Sequence, residues 1–335
     1  KNVWNIWGVW INFFILPKKY GEGEEDKMKK KKKGSKVRFS HWIPFYLMGV
    51  PGMLYLIINN YLPMFGLQIA FKDFNYAKGI WGSEWCGLAN FEYLFKSNVA
   101  WRITRNTVLY SLAFIIIGMV VNVTVAILTN EIISKKTKKF FQTLVLLPHL
   151  MSMVIVAYLV FAYLSPTTGL LNSIIKGLGG DPINWYQEPK YWPFILVFVN
   201  QWKGVGFGMI MYLSTILGIS EEYYEAATID GASRWQQIRL ITLPLLKPTI
   251  ITLLILNCGS IFRSDFGLFF QVPQNQGALY EVTDTIDTFV YRGLMLQPNM
   301  AMSSAAGFLQ SVVGFVMVMT VNAIVRKVDK SNAIF

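Results

Sequence analysis

The chain has 335 residues, 53% hydrophobic and 15% charged, with a formal net charge of +12 and an unusual load of 24 Phe, 16 Tyr and 11 Trp. Soluble domains carry about 25% charged residues, so an ordinary soluble protein is excluded; the apolar content excludes a disordered chain, and two cysteines, Cys86 and Cys258, exclude a disulfide scaffold. A basic balance points to nucleic acid only when it covers a soluble core, whereas here the basic residues punctuate long charge-free runs, the pattern of an integral membrane protein.

In chain order, Lys1–Leu16 is apolar, with Trp4, Trp7 and Trp10 at three-residue steps, but it is too short to span before Pro17. It reads as an amphipathic segment on the inner leaflet, followed by the acidic stretch Glu22–Asp26 and a basic linker, Lys27–Arg38, suited to anionic lipid. A disordered tail that merely fixes topology is an equal alternative. The basic block follows the apolar run instead of preceding it, the reverse of a signal peptide. Residues 1–40 are therefore set apart as a cytoplasmic tail, and 41–330 as a membrane domain.

Charge-free runs at Phe39–Phe71, Asn106–Asn130, Phe140–Ile175 and Gly293–Val325 are each long enough to cross a bilayer. Two further stretches are interrupted only by Lys203, and by Arg263 and Asp265. The pattern predicts six helices, near 42–63, 104–129, 140–164, 192–218, 249–270 and 302–325. With the N-terminus inside, 21 of the 31 basic residues fall in inner segments and 8 in outer ones, so the positive-inside rule places both termini in the cytoplasm of a multi-pass cell-membrane protein.

The inner segment Glu221–Pro248, EEYYEAATIDGASRWQQIRLITLPLLKP, is far longer than a hairpin needs. Glu221–Asp230 is helix-forming, Gly231 breaks it, and Ser233–Ile241 supports a second short helix before Pro244 and Pro248. The small residues Ala226, Ala227, Gly231 and Ala232 permit close approach, and Glu225 and Asp230 can cap a helix or pair with a partner. Periodicity alone favours a partnerless interfacial loop.

The spacing EAATIDGASRWQQIRLITLP changes that balance, because it closely resembles the EAA motif of ABC-importer permeases in its carbohydrate-uptake form, EAAxIDGAxxxQxFxxIxLPxxxP. Ile238 departs from it near where an aromatic is common, with Trp235 three residues earlier. The resemblance spans about residues 43–325 and implies a type I six-helix permease core. It further implies that 221–248 forms the coupling helix docking into a cytoplasmic ATPase, with Glu225, Ala226, Ala227, Asp230, Gly231, Leu243 and Pro244 as the coupling residues. Stretches 61–95 and 265–295 resemble the polysaccharide and complex-oligosaccharide branch. The implied partners are a second homologous permease, an ATPase dimer carrying ATP and Mg, an extracytoplasmic binding protein and an oligosaccharide.

Consistently, the sequence holds no GxxxxGK[ST] phosphate loop. His41 and His149 lack metal-ligand spacing, so neither catalysis nor a cofactor of its own is expected, and His149 reads as a packing residue. Polar groups inside spans are costly and therefore candidates for a transport pathway: Asn200, Trp202 and Lys203 in the fourth span, and Asn257, Arg263 and Asp265 in the fifth. If Lys203 and Arg263 both line it, Coulomb attraction favours an acidic sugar. Gly204 and Gly208 read as a helix-packing step, as do Ser304, Gly307, Ser311 and Gly314, and the sequon at Asn122 reads as fortuitous. From other classes, a lipid-binding membrane sensor or scaffold and an ion-coupled secondary transporter are the alternatives; the latter predicts inverted repeats, and no convincing repeat is seen.

Overall fold

Lipid offers no partner to a backbone N–H or C=O, so spanning segments without a closed sheet must be helical. The computed structural model describes residues 43–296 and 299–328; the tail 1–40 and Lys330 lie outside them. Among the described residues there is one two-stranded sheet and otherwise helices and turns. Five helices are long and apolar enough to cross a membrane, and one sharply bent pair supplies a sixth crossing if taken as a single span. The expected all-α, six-helix architecture is therefore present.

The chain divides into two units between Phe65 and Gly66. In the first, α1 (Ile43–Leu56) runs through a π turn, Ile57–Tyr61, into Leu62–Met64. In that turn the Leu62 N–H bonds the Ile57 carbonyl, which shifts the ladder immediately before Pro63, a residue that cannot donate.

The second unit begins with a small folded lobe. Strand β1 (Lys72–Asp73) pairs antiparallel with β2 (Glu84–Trp85), Lys72 opposite Trp85. The buried Lys72 ammonium donates to the Ile80 carbonyl at 2.7 Å and lies 4.9 Å from the Trp85 ring centre. Helix α2 (Ala89–Lys96) follows, then α3 (Asn98–Asn130), α4 (Lys135–Leu150), α5 (Met153–Leu164), α6 (Leu170–Gly177) and α7 (Trp192–Leu217). Next come α8 (Glu221–Ile229), α9 (Arg234–Gln237), α10 (Leu243–Cys258), α11 (Phe266–Gln271), α12 (Ile286–Met295) and α13 (Met300–Val328).

Two expected spans are divided differently. The helix anticipated at 140–164 is broken into α4 and α5, inclined at 96°. Pro148 weakens the end of α4, and the Ser152 hydroxyl accepts from the Ile155 N–H, starting a new helix. The helix anticipated at 249–270 instead ends at Cys258 with a turn at Gly259–Ser260, and Asp265 caps α11 by accepting from the Leu268 N–H at 3.1 Å. At its start, α10 is continuous with α9 through a second π turn, Ile238–Thr242, giving one helical stretch, Arg234–Cys258. Pro244 and Pro248 therefore do not terminate a short helix as expected. The π turn precedes Pro244 just as the first one precedes Pro63.

One apolar core joins α5, α7 and α11 around Trp192, Leu196 and Leu268; a second joins α3, α7 and α10 around Met209, Leu213 and Leu246. Helix contact is closest where side chains are absent. A methyl group at Gly206 would overlap the backbone of Val145 and Leu146, and one at Gly208 would overlap the Asn122 side chain. Gly204, expected to share that packing step, has open space around it. In α13 the tight contact falls one residue away from the predicted stripe: Ser303, Ala305 and Ala306 are buried, Ser303 abuts Gly293 of α12, and Gly314 has open space.

Candidate functional site

Three helices contribute amide side chains to one cavity. On α3, Ile115, Gly118 and Asn122 follow at three- and four-residue steps and so share a face; α7 adds Asn200, Gln201 and Gly204, and α10 adds Leu254 and Asn257. They enclose about 280 Å³. The Gln201 amide donates to the Phe114 carbonyl at 3.3 Å, and its oxygen lies 3.3 Å from where a methyl at Gly118 would sit. A side chain there would press on the Gln201 amide, which would have to shift by a few tenths of an ångström. The Asn122 Oδ1 atom is buried without a partner. A buried amide oxygen without a partner costs about 1–3 kcal/mol.

Of the six residues predicted to face a pathway, Asn200 and Asn257 meet in this cavity, and Trp202, Lys203, Arg263 and Asp265 do not line it. The Lys203 ammonium donates to the His149 carbonyl at 3.2 Å, placing a cation on the C-terminal carbonyls of α4 where the helix dipole favours it. The His149 ring stacks on Phe207 at 4.9 Å, the packing role anticipated for it. Arg263 and Asp265 stand in the turn after α10, not inside a span; Asp265 is the cap of α11, and the Arg263 carbonyl accepts from the Ser111 hydroxyl at 3.5 Å. The geometric premise for an acidic sugar held by both cations is thus not met in the cavity. Asn122, read in the sequence only as a fortuitous sequon, and Gln201, the neighbour of Asn200, join the cavity as well; an amide in an apolar helix carries the same signal as a charge in weaker form.

Replacing Lys203 by Gln is accordingly expected to lower stability by about 0.5–2 kcal/mol through the lost helix cap. It should reduce uptake of neutral and uronate-containing saccharides to the same degree. Parallel uptake assays check this, and a selective loss of uronates would contradict it.

A second polar cluster joins the N-terminal part of α3 to 280–292. The Asp284 carboxylate is buried, and both its oxygens are taken: Oδ2 by Arg102 at 2.8 Å, Oδ1 by Arg292 and by the Thr288 hydroxyl at 3.2 Å. Arg292 also lies 4.1 Å from the Tyr280 ring centre, and the Asn106 amide donates to the Glu281 and Asp284 carbonyls, each at 2.9 Å. Thr288 and Arg292 lie within eight residues of Asp284, but nothing in the sequence spacing indicated that Arg102, 182 residues away, completes the clamp. In the 165–191 connection, Asn172 serves as a hub, bonding Ser165, Pro166, Ile183 and Trp185. Nearby, the buried Tyr186 hydroxyl lacks a partner, and burial pushes its pKa up to about 12.

The segment Glu221–Pro248 is a bracket with defined joints. Helix α8 ends in a Schellman turn: Gly231 takes φ +78°, its N–H bonds the Thr228 carbonyl at 3.1 Å, and the Ala232 N–H bonds the Ala227 carbonyl at 2.9 Å. Ser233 and Gln236 then form a capping box that starts α9. The buried Gln237 amide donates to the Thr228 hydroxyl at 2.9 Å, and the Tyr224 and Thr242 hydroxyls meet at 2.9 Å. These bonds fasten α8 to the base of α10. Glu225, Ala226, Asp230, Gly231 and Pro244 are exposed, Ala227 and Leu243 half-buried. Tyr223, Ile229 and Trp235 add large exposed apolar side chains. An exposed cluster of this kind, rimmed by carboxylates, has the character of an interaction surface.

Residues 118–330 match the family of binding-protein-dependent transport system inner membrane components. The chain belongs to that family. It is 34% identical to protein LplB of Bacillus subtilis over 86% of this chain and 90% of that protein. It is likewise 34% identical to the polygalacturonan/rhamnogalacturonan transport system permease protein YteP of the same organism, over 89% and 92%. Among solved structures it matches a chain of a bacterial ABC transporter involved in the import of the acidic polysaccharide alginate, with TM-score 0.78, 35% identity and coverage of 87% of this chain and 97% of that one. A related structure contains an alginate pentasaccharide-bound periplasmic protein and matches with TM-score 0.77. This family member is thus a multi-pass permease of an ABC importer, and neither a lipid-binding scaffold nor a secondary transporter is favoured.

Proposed function

We propose that the permease forms half of the translocation pathway of an ATP-driven importer of oligosaccharides or polysaccharide fragments. Its partners are a second, homologous permease, a cytoplasmic ATPase dimer that binds ATP and Mg, and an extracytoplasmic binding protein that delivers the saccharide. Both termini face the cytoplasm, and 41–330 form the transmembrane domain. The observation that carries the proposal is the continuous helical stretch Arg234–Cys258, which joins the exposed bracket to the amide-lined cavity in a member of a permease family.

The mechanism follows from that stretch. When the ATPases close, they move α8 and α9 through contacts at Glu225, Asp230 and the Gly231 turn. Because α9 runs into α10, the displacement is carried about 35 Å along the helix to Leu254 and Asn257, which form one wall of the cavity. The other two walls, on α3 and α7, are cross-braced at Gly118 and Gly208. Moving one wall against two fixed ones exposes the cavity to alternate sides, as in rigid-body alternating access. Carboxamides suit a saccharide passing through: each offers both donor and acceptor to hydroxyls, and their NH2 groups bond a uronate carboxylate without fixing it by ion pairing.

Affinity purification of the tagged permease from its native membrane is expected to recover an ATPase dimer and a second permease. Recovery of the chain without either would overturn the proposal. Uptake across a panel of defined oligosaccharides then identifies the substrate.

A further inference from the structure

A second cavity, of about 350 Å³, lies between α5 and the segment that follows α11. Its walls combine two aromatic rings, Tyr158 and Phe270, with three carboxamides, Gln271, Gln274 and Asn275. Tyr158 is 70% exposed, so its ring face is free for contact. The side-chain amides of Gln271 and Gln274 have no hydrogen-bond partner among the described residues. Asn275 is held from behind: the Tyr280 hydroxyl donates to its side-chain oxygen at 3.0 Å and to its carbonyl at 3.2 Å, leaving its NH2 group to donate into the cavity.

The backbone here is unusual. Gln274 and Asn275 take φ of 54° and 49°, the two non-glycine residues with positive φ among those described. Left-handed geometry costs a non-glycine residue roughly 1–2 kcal/mol, and glycine would avoid that cost. The position of the cavity along the membrane normal adds to this. Phe269 packs on Tyr110 of α3 at 4.8 Å, and α3, with 33 residues, is about 50 Å long against a hydrocarbon core of about 30 Å. Tyr110 then lies roughly 8 Å inside the core if α3 projects equally on both sides. Irregular, amide-rich backbone next to a membrane-spanning helix is tolerated only where it is buried in protein or lines a wet cavity.

We infer that this cavity is a second saccharide subsite, separate from the one bounded by Asn122, Asn200 and Asn257, with a sugar ring stacked on Tyr158 and its hydroxyls bonded by Gln271, Gln274 and Asn275. The inference rests on the importer function proposed above. Aromatic face plus convergent amides is the recognition chemistry of a sugar unit, apolar on its ring face and hydroxylated at its edge. Two subsites favour chains over single units, because a longer saccharide fills both.

The test uses the complete transporter, purified with its partner subunits and reconstituted in liposomes with its binding protein. The probes are di- and tetrasaccharides prepared from polygalacturonan and from alginate. Tyr158→Ala removes the ring and Tyr158→Phe keeps it. Gln274→Gly removes the amide and is compatible with the left-handed backbone, so a purely conformational role for the residue would leave function intact. For Tyr158→Ala and Gln274→Gly, the tetrasaccharide KM is expected to rise about tenfold, with disaccharide uptake and kcat unchanged and Tyr158→Phe like wild type. An unchanged dependence on chain length in both variants would overturn the subsite, as would loss of the second permease from both purified complexes, which would make this face a subunit interface. If wild type takes up none of the four probes, the proposed importer function for such saccharides fails, and the subsite fails with it.

Discussion

Gly231→Pro is expected to abolish uptake while the chain still inserts and folds. Proline fixes φ near −65°, whereas Gly231 takes φ +78°, and its N–H is bonded to the Thr228 carbonyl. The Schellman turn cannot form, so α8 loses its fixed angle to α9. The loss is local because the turn is exposed and a side chain at Gly231 would meet nothing within 4 Å. Gly231→Ala separates strain from shape: it costs roughly 1–2 kcal/mol in the left-handed region but can keep the turn, so reduced uptake is expected, not none. Glu225→Lys reverses a charge on the exposed face of α8 and is expected to abolish uptake without altering the turn. Uptake in proteoliposomes and ATPase association in detergent check all three. Wild-type transport by Gly231→Pro or Glu225→Lys, with normal ATPase association, would remove the coupling role from this loop.

Asp284→Asn is expected to cause the largest loss of stability, about 3–5 kcal/mol, because it removes one partner from a buried charge cluster. Arg292 is buried and Arg102 one-third exposed, so Arg292 is left facing an amide that cannot neutralise it. The energy lies in the uncompensated charge more than in the lost contact. A double variant, Asp284→Leu with Arg292→Met, should therefore recover much of the loss, since apolar replacement of a buried pair is often neutral. Thermal unfolding of the purified permease measures both. Equal destabilisation by the single and double variants would mean that the cluster acts through geometry at the α3/α12 junction, not through charge.

How much of this was legible in the sequence depends on the range of the interactions concerned. Charge-free runs located four of the spans because membrane insertion is governed by local hydropathy, whereas the span expected at 249–270 is displaced to Arg234–Cys258. The joints of the bracket were legible for the same reason: Gly231 marks a helix end and Ser233 a helix start through contacts within five residues. The break at Ser152 and the cap at Asp265 have equally local causes, but each lies inside or beside an apolar run, where hydropathy outweighs a single capping residue. Pro244 misled because proline normally stops a helix, and the π turn that accommodates it has no pattern of its own. Lys203 and Arg263 stood out by charge, yet the cavity is built from amides on three helices, brought together by packing at Gly118 and Gly208. The α3 half of the Asp284 clamp was invisible for the same reason: Arg102 and Asn106 reach 280–292 only once α3 has packed against it.

The central claim is that the bracket drives saccharide through the amide-lined cavity, and it is tested most directly by comparing uptake with ATP hydrolysis in Asn200→Ala and Asn257→Ala permeases. Both residues face the cavity and neither lies in the bracket. Reconstituted with the ATPase dimer, the second permease and the loaded binding protein, each variant is predicted to hydrolyse ATP at close to the wild-type rate while uptake falls about tenfold or more, the cost of one or two lost hydrogen bonds to the passing sugar. Undiminished uptake in both variants would contradict the account.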